Sequence, residues 1–376
     1  DGLLNGKLLI GELPAAPVFT GNLTISNLNI KNDTIGNVTL QVNNKIADTY
    51  FADVVVNGRG NDVHLTGNYY PKQSDNKFDL LLDLKSLPLA TIQSFSRGAI
   101  TNTSGSVNGR FTVKGNIDNP KVNGDLNFLQ AKFNPVQLNN IFEIDNDKIE
   151  INESGIRFNK FSLLDSAGNL LTLNGTAATT NFRNYKLDFT IRANDFRALN
   201  STKSDNQLFY GQLFFNTNLR VKGTETAPVV DGNITINEKT KMTFVLPQDE
   251  PGVADREGVI EFIDKDAPAN DSLFLASYDS LNTISTTGMD IAVNVDVKKE
   301  ANLTLVIDEA NGDFLNVQGE ALLTAGVDPS GKITLAGSYE LANGAYQLSL
   351  NLLRRKFAIE KGSKIIWTGD PTDADV

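Results

Sequence analysis

Apolar and polar residues alternate with a period of two over most of the chain. Phe78, Leu80, Leu82 and Leu84 are separated by Asp79, Leu81 and Asp83, and Tyr185, Leu187, Phe189 and Ile191 by Lys186, Asp188 and Thr190. The same pattern carries Leu126 and Phe128, then Ile234 and Ile236, then Ile291, Val293, Val295 and Val297, then Leu303, Leu305 and Ile307. Alternation of this kind gives a strand one apolar and one wet face. Between the runs lie Asn43-Asn44, Asp145-Asn146-Asp147 and Asn311-Gly312-Asp313, residue types that tolerate the left-handed backbone of turns. Only residues 86–97 and 194–199 predict short helices. The expected class is all-β, with antiparallel strands.

The alternation is organised in repeats. Residues 11–25, 115–128 and 223–236 each read as a glycine that ends one strand, a turn with proline, and a second glycine that opens the next strand. The prolines are 17, 120 and 228, so the spacings are 103 and 108, and Gly21, Gly124 and Gly232 keep both. Leu65-Thr66-Gly67 and Leu173-Asn174-Gly175 form a second marker, with glycines 108 apart. A unit of about 105 residues predicts segments 1–114, 115–222, 223–290 and 291–376. A loop insertion at 248–271, with Pro251, Pro268 and many acids, interrupts the third. Such units can be separate sandwiches on a string, or one continuous sheet in which each unit stacks on the last. No polar linker marks the boundaries and the only Trp is Trp367, which favours the continuous sheet.

Composition narrows the chemistry. Lys+Arg is 34 against Asp+Glu 45, a net charge of −11, which opposes nucleic-acid binding and docking on anionic bilayers. With no cysteine and one histidine, His64, there is no disulfide framework and no two-His metal site. His64 falls on the polar phase of its strand and is expected to be solvated. The carboxylate pairs Asp249-Glu250 and Asp308-Glu309 lie in predicted turns, unlike the partly buried acid a glycosidase needs. Asp145-Asn146-Asp147 and residues 264–271 lack the spacing of a calcium loop, so solvated turns are expected. Arg354-Arg355-Lys356 is the densest basic run. A wet strand face is expected there, with a lipid phosphate or a partner as the functional alternative. No run approaches 18 apolar residues, so no membrane-spanning helix is expected. The Asp1 start and the Asp375-Val376 end read as those of a fragment.

The Gly-x-x-x-x-Pro-x-x-x-Gly-x-Leu/Ile units (one residue longer at Gly11) resemble those of the TamB family, within the AsmA-like superfamily. The C-terminal series is more specific: Gly337-Ser338-Tyr339, Gly344-Ala345-Tyr346-Gln347-Leu348, Arg355-Lys356-Phe357-Ala358-Ile359, Gly362-Ser363, and Ile365 through Trp367 to Gly369-Asp370-Pro371. The resemblance implies a β-taco, an elongated antiparallel sheet curled into a trough with an apolar interior. It implies a non-enzymatic periplasmic protein without cofactor, anchored in the inner membrane by a segment absent from this chain. Such a protein would carry phospholipid or assist outer-membrane protein assembly, with a BamA-like partner of TamA type. The candidate groove lining is Leu126, Phe128, Leu187, Phe189, Ile191, Ile234, Ile236, Ile291, Val293, Val295, Val297, Leu303, Leu305, Ile307 and Leu348. About 28 strands at about 4.8 Å each would give a sheet on the order of 130 Å long. The alternative is a surface-exposed array of β-sandwiches acting as an adhesin. Which phase faces inward is not readable where strands change register.

Overall fold

A computed structural model describes residues 1–11, 17–30, 33–71, 77–246, 288–309, 311–350, 353–371 and 373–375. They form a single sheet and one short helix. The first half contains β1 (Leu3–Gly11), β2 (Val18–Ile30), β3 (Asp33–Asn43), β4 (Tyr50–Gly58), β5 (Asn61–Tyr70), β6 (Lys77–Pro88), α1 (Leu89–Phe95), β7 (Ile100–Gly115), β8 (Pro120–Pro135), β9 (Phe142–Ile144), β10 (Lys148–Asn152) and β11 (Gly155–Leu164). The second half contains β12 (Leu170–Ala178), β13 (Lys186–Ser201), β14 (Phe209–Thr224), β15 (Pro228–Ile236), β16 (Lys241–Val245), β17 (Asp290–Val297), β18 (Asn302–Asp308), β19 (Asp313–Val327), β20 (Ile333–Leu350), β21 (Leu353–Ala358), β22 (Lys364–Gly369) and β23 (Ala374–Asp375).

From β1 to β8 each strand pairs antiparallel with the next. Further on, the shorter strands share lanes end to end: β9 with β10, β15 with β16, β17 with β18, and β21 with β22. The 23 described strands therefore occupy nineteen lanes, and at about 4.8 Å per lane the sheet is about 90 Å long before twist. The expected 28 strands were those of the whole chain; among the described residues long strands such as β13, β14 and β20 span what alternation alone would divide. The chain passes 114/115 and 222/223 at tight hairpins, with Gly115 opposite Pro120 and Gly223 opposite Pro228. There is no second sheet among the described residues, so the sandwich-array alternative does not hold for them.

One seam departs from the antiparallel expectation. β15 pairs with β17 in parallel, and β16 with β18 likewise. Parallel neighbours cannot be joined by a hairpin and need a crossover connection of a dozen residues or more. The expected insertion at 248–271 lies outside the described residues.

The first predicted helix is found as α1. Pro88 stands at its N-cap, and Leu89 packs on Val107, Ala131 and Ile144. Its polar side is tied to strand ends by Thr91 to Asn61 at 3.0 Å and Ser94 to Asp33 at 2.6 Å. The second predicted helix, at 194–199, is instead a bulged stretch of β13, with register shifts at Ala193/Phe196 and Arg197/Leu199. Tertiary contacts decide it. Phe196 stacks on Phe142 with ring centroids 5.6 Å apart, and Asn140 Nδ2 donates to the Arg197 carbonyl at 2.5 Å. Those rings belong to β9 and β13, between which β11 and β12 intervene elsewhere. β12 begins only at Leu170, so beyond its end β13 meets residues 138–142 directly, through the Asn200 amide and the Leu138 carbonyl as well. A lane present along one margin and missing along the other curves the sheet.

Asp165, buried in the β11–β12 turn, seals this junction. Its carboxylate accepts N–H groups from Arg197 at 2.7 Å, Ala167 at 2.8 Å, and both the amide and side chain of Asn169 at 2.9 Å. Burial alone would push its pKa up, but these donors hold it below the usual 3.8.

Asparagine has a recurrent job at the bulges. Asn27, Lys160 and Asp195 have φ of 51°, 51° and 49°, a left-handed conformation rarely adopted outside glycine. In each case the amide is taken by an asparagine Oδ1 on the neighbouring strand: Asn37 at 2.9 Å, Asn174 at 3.1 Å and Asn216 at 2.6 Å. A side-chain acceptor thus replaces the ladder bond that the bulge removes. The bulges and strand breaks from β2 to β22 follow one oblique line across the sheet, and buried residues such as Ala131, Phe196, Met242, Ala301 and Leu341 gather along it.

Two outcomes are expected. Asn216→Ala strands the Asp195 amide and should lower unfolding free energy by about 1–3 kcal/mol in urea titrations. Because the folded pKa of Asp165 is depressed, its contribution is present above about 3.8 and lost as pH falls through the lower folded value. The Asp165→Asn variant should therefore lose less stability than the unsubstituted chain between pH 5 and pH 2, when both are melted at stepped pH.

Candidate functional site

The register connects side chains of neighbouring strands into rows across the sheet. One row runs Leu4, Ile25, Val38, Val56, Val63, Leu84, Gly109, Leu126, Ile149, Phe158, Gly175, Phe189, Val221, Val230, Ile291, Val327 and Ile333. It crosses seventeen lanes, the parallel seam included, without a polar residue. A second row, from Gly6 through Leu23, Leu40, Val54, Leu65, Leu82, Phe111, Gly124, Ile151, Ile156, Ala177 and Leu187 to Gly223 and Pro228, is equally apolar.

Displaced by one residue, the other face is wet. There the row reads Asn5, Thr24, Thr39, Val55, His64, Asp83, Arg110, Asp125, Glu150, Arg157, Thr176, Asp188 and Lys222. Ion pairs cross it, such as Lys148 to Asp125 at 3.2 Å and Lys114 to Asp79 at 3.1 Å. These are solvent-exposed and individually worth little. His64 lies on this face, with Nε2 2.8 Å from Asp53 Oδ2.

Burial distinguishes the apolar face from an ordinary core. No residue of the seventeen-lane row is fully buried: Leu4 and Ile333 at its ends are exposed and the fifteen between them are half-buried. A second layer would have buried them. Space left by glycine is filled by rings: Phe158, Gly175 and Phe189 are successive partners, and the two rings meet edge to face at 5.6 Å. A Cβ on Gly175, whose φ is +141°, would lie 2.1 Å from the Asp188 carbonyl oxygen.

Nearly all the residues expected to line a groove share this face. Leu126, Phe189 and Ile291 stand in the first row, Leu187 in the second, and Ile191 and Val293 in a row with Leu219, Gly232 and Ala325. Ile234 and Val295 follow in the next row, then Ile236 and Val297. Phe128 opposes Val107, Leu303 lies between Met242 and Val317, and Leu305 between Phe244 and Leu315. Ile307 falls in a register shift at the end of β18, and Leu348 opposes Arg355. Val293 and Val297 are buried, Val297 in a cluster with Ala301, Val317, Ala321, Tyr339 and Leu341. The face is therefore closed by its own side chains near that cluster and open over the first row. Sequence reading left out the lining contributed by β1 to β6, although alternation at Leu4 to Ile10 and Val54 to Val56 was present to signal it. No metal-binding group of carboxylates or histidine occurs among the described residues, and no helix there is long and apolar enough to cross a membrane.

The family model of the TamB C-terminal domain matches residues 159–375, more than half of the chain. No curated protein and no solved structure matches. The match begins inside β11, and both apolar rows continue across that position into β10 and on to β1.

Tyr339 is a polar exception on the apolar face. It is 4% exposed, and its hydroxyl has no hydrogen-bond partner among the described residues. Burial raises its pKa from 10.0 to about 12. With the folded pKa raised, its contribution is complete below pH 10 and lost as pH climbs towards 12. Tyr339→Phe should fold at least as stably at pH 7, since it removes an unpaired hydroxyl. It should also show a smaller alkaline loss than the unsubstituted chain in melts taken across that range.

Proposed function

This chain belongs to the TamB family, and on that premise we propose that its apolar face is a path for phospholipid acyl chains across a Gram-negative periplasm. The family works in outer-membrane assembly or lipid transport in the Gram-negative envelope. The finer reading is that this chain carries lipid between inner and outer membrane, without bond-making chemistry, and engages an outer-membrane BamA-like protein of TamA type. An inner-membrane anchor in a segment outside this chain completes the proposed arrangement.

The half-buried seventeen-lane row is the observation that supports this reading. Each methylene left in water costs about 0.8 kcal/mol, so a chain of about fifteen methylenes crossing unprotected faces about 12 kcal/mol. Half-buried aliphatic and aromatic side chains, interrupted only by Gly109 and Gly175, replace that water contact lane by lane. The headgroup needs no pocket, because it stays in water along the open margin.

A photocrosslinking amino acid placed in the full-length protein in cells tests the path. Positions Phe189, Leu219 and Val295 on the apolar face should take up radiolabelled phospholipid, while Asp188, Arg220 and Asn294 on the wet face should not. Equal labelling of both faces, or none on either in folded protein, would sink the reading.

A further inference from the structure

We propose that Arg355 binds the phosphate of a phospholipid headgroup while the acyl chains lie on Tyr346, Leu348 and Phe357. The proposal rests on the acyl path above and adds to it a polar station at the C-terminal margin.

It follows from an exception in the rows. One row of the distal half runs Phe209, Phe244, Leu305, Leu315, Tyr346 and Phe357, and the last two rings stack with centroids 6.4 Å apart. Arg355 pairs with Leu348, two residues from Phe357 along β21. Alternation therefore places Arg355 on the apolar face, while Arg354 and Lys356, opposite Ser349 and Gln347, stand on the wet one. Neither long apolar row contains a charge. Asp313 begins β19 on the apolar phase, but its Oδ1 accepts the Ser349 amide at 2.5 Å. Arg355 is exposed, and no ion pair or side-chain hydrogen bond holds it among the described residues.

A free guanidinium on an apolar face is complementary to a particular kind of ligand. Its planar fork of donors fits a phosphodiester in bidentate fashion, and the neighbouring rings and leucine offer acyl chains a dry surface. A wet strand face, the expectation for the whole basic run, describes Arg354 and Lys356 only. In a protein with net charge −11, this cation is also a local reversal of the field that an anionic headgroup meets elsewhere.

The test uses the full-length protein in cells, with a photocrosslinker at Leu348 or at Val295 and two probes, radiolabelled phospholipid and a photolabelled diacylglycerol lacking phosphate. Arg355→Gln should lower phospholipid label at Leu348 about tenfold, the order of one charge-assisted hydrogen bond, and Arg355→Lys, which keeps the charge but loses the fork, should fall between the two. Label at Val295, and diacylglycerol label at Leu348, should be unchanged. Because Arg355 is exposed and unpaired, the variants should melt with the unsubstituted protein. Undiminished phospholipid label at Leu348 in Arg355→Gln would overturn this proposal alone, as would an equal loss of diacylglycerol label or a crosslink to protein in place of lipid. Absence of label at both positions in the unsubstituted protein would overturn the acyl path and this station together.

Discussion

Side chains on a strand alternate between faces, so a slip of one residue in pairing exchanges a strand's apolar set for its polar one. In this sheet nearly every lane is held on both sides, and the exchange could not remain local. A slip of β13 by one residue would carry Lys186, Asp188, Thr190 and Arg192 onto the face that now holds Leu187, Phe189 and Ile191. With no second sheet among the described residues to conceal an error, fixed register is the constraint on which the two-faced character of the molecule depends. The asparagine-held bulges meet it in a specific way. Each admits an extra residue so that the sheet can turn, and an Asn side chain takes the displaced amide, so the strand resumes its pairing beyond the bulge with the apolar phase preserved.

Curvature and closure have the same origin. Where β12 begins late, Asn140 fastens β13 to the segment ahead of β9 and Asp165 fastens it to the β11–β12 turn, and the margin with fewer lanes draws in. Along the oblique line of bulges the side chains are the most buried of the sheet, large ones such as Phe196, Met242 and Leu341 beside Ala131 and Ala301, which are completely buried. Away from that line the rows open. The trough is thus dry at its crease and half-wet along its walls, a gradation that two stacked sheets around a shared core would not produce.

Much of this was legible in the sequence because a period of two is a local property. Strand identity, the Gly–Pro hairpins and α1 all followed from residues close together in the chain. The second helix did not. Residues 194–199 have no strong local preference against a turn of helix, and it is Phe142 and Asn140, more than fifty residues earlier, that hold them extended. The parallel seam was equally hidden, since nothing in the strands of residues 228–245 encodes whether the next lane is entered from the near or the far end. The lining residues were identified as alternating apolar positions, but their joining into rows depends on pairing between strands. The phase of Arg355 was hidden for the same reason. In a run of three basic residues, only the opposition of Leu348 to Arg355 distinguishes the one that faces the rings.

The composition of the rows bears on how such a face can work. A surface meant to hold one ligand tightly would concentrate contacts in a pocket, with a few polar groups to fix orientation. Here Val, Ile, Leu and Phe succeed one another, and each glycine along the first row lies beside large apolar partners, as Gly109 does between Leu84 and Leu126 and Gly175 between Phe158 and Phe189. The apolar contact available to a methylene chain therefore varies little from lane to lane. A chain displaced by one lane exchanges one set of roughly 0.1–0.2 kcal/mol atomic contacts for another of the same kind, so there is no deep minimum to arrest it. Direction is not encoded in such a face; it must come from what the two ends do. The charge pattern supplies an asymmetry: acidic and basic groups are mixed on the wet face, the two long apolar rows are neutral, and Arg355, without an ion pair among the described residues, enters the apolar phase in β21. The seventeen-lane row meets β20 at Ile333, fifteen residues along that strand from Leu348, so under the proposed function the uniform path and the charged station lie at opposite margins of the sheet.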